Sequence, residues 1–194
     1  MLSRTADNIY WLARYVERAE FTARIIDITS RLAALPKAYG GTGAEWESAL
    51  LAVDALDAFK EKHDVADEQT VLRFLVFDQD NPSSISYCVE RARTNARAVR
   101  TALTSDMWQA INSSWIEMRN IERAVAPFER MSRARIDPAL DAVKAMSRDF
   151  DGLAYRSMLR NDAYWFNRLG LYMERSDNTA RILESLPKNI KVDS

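Results

Sequence analysis

Three glutamate–arginine pairs, Glu17-Arg18, Glu90-Arg91 and Glu174-Arg175, are each followed, after four intervening residues, by an Ala-Arg pair: Ala23-Arg24, Ala96-Arg97 and Ala180-Arg181. Carboxylates and guanidiniums held at a fixed spacing suit two kinds of chemistry. Arginine forks grip carboxylate or phosphate groups, and a glutamate desolvated in such a pocket can act as a general base. The same groups can instead pair with each other across helices and fix how those helices register.

On a helix turning about 100° per residue, positions seven apart fall on one narrow stripe. Tyr10, Glu17 and Arg24 form such a stripe, as do Ser83, Glu90 and Arg97, and Asn167, Glu174 and Arg181. Arg18, Arg91 and Arg175 lie one step further round each helix. If the three helices share a core, three glutamates and six arginines could converge, which a dry interior tolerates only when every charge is paired. The candidate catalytic residues are therefore Glu17, Glu90 and Glu174. The candidate ligand-binding residues are Arg18, Arg24, Arg91, Arg97, Arg175, Arg181, Tyr10 and Asn167. Ion pairing is the plainer reading, because arginine beside a glutamate lowers its pKa and works against base catalysis.

Other chemistries find little support. A carboxylate-bridged di-metal bundle needs Glu-x-x-His twice, and the only histidine, His63, has no glutamate three residues before it. Arginine beside every repeated glutamate also opposes cation capture, so no metal and no cofactor is expected. Cys88 is the only cysteine and has no clear histidine partner, which suits a small buried residue. Gly40-Gly41-Thr42-Gly43 lacks the Lys-Ser/Thr of a phosphate loop and reads as a connection. Trp11, Trp108, Trp115 and Trp165 occur at helical spacing and read as packing residues rather than base-stacking ones.

The elements that must position these groups are helices. The chain has 194 residues, 47% hydrophobic and 28% charged, with only five Gly and five Pro. Such a composition suits one helical domain with a substantial core. A net charge of −1 offers no general field for nucleic acid. Neither a signal peptide nor a membrane span is legible, and one cysteine fits the cytoplasm.

Apolar residues at Ile9, Leu12, Val16, Ala19, Ala23 and Ile26 alternate by three and four, which predicts a long helix over about 4–34, ended by Pro36 and the glycine run. Further helices are expected over about 44–62 and 67–77, and from Pro82, capped by Asn81, to about 103. Another is expected over about 106–133, bent or broken at Pro127, then one following Asp137-Pro138 to about 159, and a last one over about 161–185. The expected architecture is all-α: a single bundle of about six or seven helices with the three repeat-bearing helices in its core. The domain is placed at 1–186, followed by a polar tail at 187–194.

Three passages carry a resemblance. They are residues 1–20, with Asn8-Ile9-Tyr10-Trp11 and Val16-Glu17-Arg18-Ala19-Glu20; Phe74–Ile85, with Asp80-Asn81-Pro82-Ser83-Ser84; and Arg168–Arg181, with Tyr172-Met173-Glu174-Arg175-Ser176-Asp177-Asn178. In this order they resemble the bacterial alpha-E family, an all-helical domain of unknown function, from Met1 to about Leu186. The resemblance implies a setting beside circularly permuted ATP-grasp proteins and transglutaminase-like peptidases, and hence a partner that makes or modifies amide bonds. It implies a binding or support subunit for such a ligase; the alternative is an enzyme or ligand-binding subunit using a glutamate base in an arginine-lined pocket. A self-associating bundle is a third, minor reading. Two departures stand out. Typical members are longer, which implies a C-terminal part absent here, and Leu171 and Ser176 replace a commoner basic residue and alanine.

Overall fold

The computed structural model describes residues 1–35 and 44–185. Pro36, the glycine run at 40–43 and the tail at 187–194 lie outside the described residues. Among the described residues the fold is all-α, with eight α-helices: α1 (Ser3–Ala33), α2 (Glu45–Ala52), α3 (Leu56–Lys60), α4 (Glu68–Phe77), α5 (Ile85–Ala98), α6 (Ser105–Val125), α7 (Arg133–Ser157) and α8 (Asp162–Ser185).

α1 is the axis of the bundle. Its seam of Ile9, Leu12, Val16, Ala19, Ala23 and Ile26 is buried, and so are Ala6, Ala13, Glu17, Glu20, Thr22 and Thr29 on other faces. A helix buried on one side only would show a single stripe. Here α8, α5, α7 and α2 all pack against α1. Burying a large aliphatic side chain such as Ile9, Leu12 or Ile26 contributes about 1.5–3 kcal/mol, so this seam stabilises each of the contacts that α1 makes. α8 runs parallel to α1, as the pairs Met1–Asp162 and Glu17–Arg175 show. α5 runs antiparallel, with Thr22 donating to the Ser83 carbonyl and Tyr15 packed against Tyr87.

The boundaries differ from expectation in four places. The helix expected over 44–62 is two helices, because α2 closes in a Schellman motif. Ala55 N–H donates to the Leu50 carbonyl, Asp54 N–H donates to the Leu51 carbonyl, and Asp54 adopts a left-handed φ of 55°. Glycine normally marks that position, and its absence hid the break. Asn81 does not cap α5. Its Oδ1 accepts from Ser83 N–H and its Nδ2 donates to the Phe74 carbonyl, while Ser84 takes the capping role by accepting from Tyr87 N–H. α5 stops at Ala98 and passes into a short 3-10 turn, Arg100–Ala102. Finally α6 ends at Val125, just before Pro127, and α7 begins at Arg133, so Pro138 lies inside α7 at the expense of one main-chain bond.

Asp27 ties α1 to α7. It accepts from Lys144 Nζ at 2.8 Å and from the Arg133 guanidinium, which also pairs with Asp137. Burial pushes the Asp27 pKa up, but the hydrogen bonds from Lys144 and Arg133 outweigh it and hold the group below its ordinary value. A depressed carboxylate contributes stability that is complete above its unfolded pKa of about 3.9 and disappears as pH falls through its folded value. Urea unfolding between about pH 2 and 5 will therefore show Asp27→Asn with a flatter acid limb than the parent. An unchanged slope would remove Asp27 from the acid response.

Candidate functional site

The repeated groups of α1 and α8 exchange partners. Glu174 is 1% exposed. Its Oε1 accepts from Arg18 Nε at 2.6 Å, and its Oε2 accepts from Arg14 Nε at 2.6 Å and from Arg18 Nη2 at 3.1 Å. In return Arg175 of α8 donates through Nε to Glu17 Oε1 at 2.8 Å. The parallel packing of α1 and α8 brings the two Glu-Arg pairs level, so each glutamate faces the other helix's arginine.

Charge stabilisation follows the geometry. Burial works against the Arg18 and Arg14 charges, but hydrogen bonding to Glu174 and its negative charge outweigh that and raise both guanidiniums above their ordinary value. Glu17 behaves the other way: burial raises its pKa and the Arg175 hydrogen bond only partly offsets that. Burial also pushes the Cys88 thiol up to about 12, so it stays protonated, with Sγ donating to the Pro82 carbonyl at 3.4 Å.

The second copy, on α5, faces elsewhere. Glu90 Oε2 accepts from Trp115 Nε1 of α6 at 2.5 Å, and Arg93 lies 3.9 Å above that same indole. The three glutamates therefore do not meet at one point. The other candidates spread likewise. Arg24 pairs with Glu20, whose second oxygen accepts from Ser147 Oγ at 2.6 Å. The exposed Arg91 reaches over the Tyr15 ring, and Tyr10 accepts through its hydroxyl from Arg14 Nη1. Arg97 is exposed and makes no ion pair among the described residues. Asn167 is fully buried, with its Nδ2 unpartnered.

What does converge is one residue set from each of the three passages singled out in the sequence. A cavity of about 180 Å³ opens between α1, α8 and the turn before α5, lined by Arg18, Asn81, Pro82, Ser83, Glu174 and Arg181. The break between α2 and α3 supplies Asp54, whose Oδ2 forms an ion pair with Arg181 Nη1 at 3.0 Å; Arg181 Nε donates to Asp177 Oδ2 at 3.0 Å. Arg14, Asp54 and Asn178 were not among the sequence candidates. Arg14 had a signal, since it stands four residues from both Tyr10 and Arg18 on the same helix face. Asp54 had none, because its place depends on the Schellman turn. Among the described residues no three His, Cys, Asp or Glu side chains are grouped to hold a metal ion.

A family profile, described as a predicted alpha-helical domain with a conserved ER motif, matches residues 1–192. The chain belongs to the Alpha-E family. This chain carries Glu-Arg pairs at Glu17-Arg18, Glu90-Arg91 and Glu174-Arg175, of which the first and the last exchange partners. Curated relatives of this Alpha-E chain include an uncharacterized protein of Mycobacterium bovis, 27% identical over 198 residues, a match covering 89% of this chain and 21% of the relative. An uncharacterized protein of Mycobacterium tuberculosis strain H37Rv is 26% identical over 198 residues, with the same coverage of 89% and 21%. The chain thus spans about a fifth of the length of the curated relatives it matches. No solved structure matches it. No described helix is long and apolar enough to cross a membrane.

Proposed function

We propose that this Alpha-E chain is a non-catalytic helical support module that docks on an amide-bond-forming enzyme, of the ATP-grasp ligase type implied by the family resemblance. The carrying observation is the outer face of α8. Trp165, Leu169, Tyr172, Met173 and Leu183 stand exposed at helical spacing, with Trp165 at 60%. Large apolar and aromatic side chains left in a row on a helix favour a protein interface. The occupant is a folded protein domain, because the matched region is only 21% of the mycobacterial relatives and there adjoins a much longer polypeptide. Support for a non-catalytic role comes from the α1–α8 exchange, which commits the best-placed carboxylate, Glu174, to three guanidinium N–H groups.

The test is co-purification with an ATP-grasp-type ligase from the same organism. A stable complex should form, and the Leu169→Glu/Tyr172→Glu variant should keep its melting temperature while weakening the complex by about 30-fold or more. If the parent chain forms no complex with that protein in pull-down and crosslinking, the reading fails. The general-base alternative would require Glu90→Gln to abolish pathway turnover with folding intact.

A further inference from the structure

Asn178 is 7% exposed and lines the cavity between α1 and α8, and its side chain makes no hydrogen bond among the described residues. Its amide is not sealed in the interior but belongs to the cavity lining, where its donor and acceptor are available to a ligand.

The groups around it have a definite order. Arg18 spends Nε and Nη2 on Glu174, which leaves Nη1 uncommitted. Arg181 spends Nε and Nη1 on Asp177 and Asp54, which leaves Nη2 uncommitted. The free donors are thus the two guanidinium ends and the Asn178 amide, a set suited to a carboxylate. Glu174 is sealed at the floor, whereas the Asp54 and Asp177 side chains are 69% and 38% exposed at the mouth. Asp54 and Asp177 share one cation, Arg181, so together they stay net negative and repel a polyanion such as a nucleotide or phosphate ester. They attract an ammonium group.

Size narrows the class further. Drug-sized and cofactor sites run to about 300–1,000 Å³, while about 150 Å³ holds a benzene-sized molecule. A cavity of about 180 Å³ falls between these limits, at the scale of a single amino acid.

We propose that this cavity binds a free α-amino acid as its zwitterion. The carboxylate lies against Arg18 and Asn178, and the ammonium group faces Asp54 and Asp177 at the mouth. This assignment is independent of what docks on α8.

Titration calorimetry of the purified chain tests it. The probes are glycine, L-alanine, L-aspartate and L-glutamate, with the N-acetyl form and the primary amide of each, and inorganic phosphate. At least one free amino acid should bind saturably below about 10 mM, and its N-acetyl and amide forms should each bind at least about tenfold more weakly. Asn178→Ala removes no internal hydrogen bond, so it should keep the parent melting temperature and weaken binding by about tenfold. Saturation by phosphate alone, equal binding of the N-acetyl forms, unchanged affinity in Asn178→Ala, or no saturable binding by any amino acid would each overturn the proposal. If Asn178→Ala melts early, Asp54→Asn, on the exposed rim, takes its place, with loss of discrimination against the N-acetyl form as the expected result.

Discussion

Glu174→Ala will lower the melting temperature by about 10 °C, the largest loss expected from any single charge in this chain. Its carboxylate is 1% exposed and holds Arg14 and Arg18, whose side chains are only 17% and 20% exposed. Deleting the acid leaves two largely desolvated guanidiniums facing each other with no counter-charge. Removing one partner of a buried pair costs about 3–5 kcal/mol, and in a chain of this size each kcal/mol is worth about 2–4 °C. Arg24→Ala is the internal comparison, because that side chain is 60% exposed and its pair with Glu20 is worth about 1 kcal/mol at most. Thermal and urea unfolding of both variants measure the difference. Equal melting temperatures for Glu174→Ala and Arg24→Ala would mean that the α1–α8 exchange contributes no more than a surface pair.

The sequence made the helices legible and left their facing unresolved. The three-and-four alternation from Ile9 to Ile26 gave α1 nearly to the residue, because a buried seam leaves a strong periodic signal. Pro127 marked the end of α6 for a steric reason that operates in any context. The break at Asp54 left no trace, since a left-handed cap without glycine cannot be distinguished from helix by composition. Pro138 misled in the opposite sense, because a helix start was assigned to it while the Arg133–Asp137 and Arg133–Asp27 pairs begin α7 a turn and more earlier.

The candidate site shows the same division. Seven-residue spacing placed Tyr10, Glu17 and Arg24 correctly on one helix, but spacing says nothing about which neighbour that helix meets. α8 lies parallel to α1 and α5 antiparallel, so residues equivalent in sequence confront different partners. Glu174 meets two arginines, Glu17 meets one, and Glu90 meets an indole. The grouping of Arg18, Asn81 and Glu174 around one cavity needed all three helix directions at once.

Two helical glycines, one at the parallel α1–α8 contact and one in open space on α7, predict opposite outcomes on substitution. Gly170 stands where α8 comes closest to α1, and a Cβ added there would lie far inside 3.0 Å of the Tyr10 carbonyl oxygen and 3.1 Å from the Ala13 Cβ. The obstacle is main chain, which cannot rotate away as a flexible side chain would. Gly170→Ala must therefore push the two helices apart, at a cost of about 1–3 kcal/mol or more. The shift also draws Arg14 and Arg18 from Glu174, one turn further along α8, so part of the ion-pair energy is lost with the packing. Gly152, inside α7, has no atom within 4 Å of the same added carbon. Gly152→Ala should instead stabilise the chain by up to about 1 kcal/mol, because alanine loses less backbone entropy in a helix. Chemical unfolding of the two variants side by side reads both signs. A Gly170→Ala protein as stable as the parent would show that α1 and α8 do not approach as closely as their reciprocal Glu-Arg pairing requires.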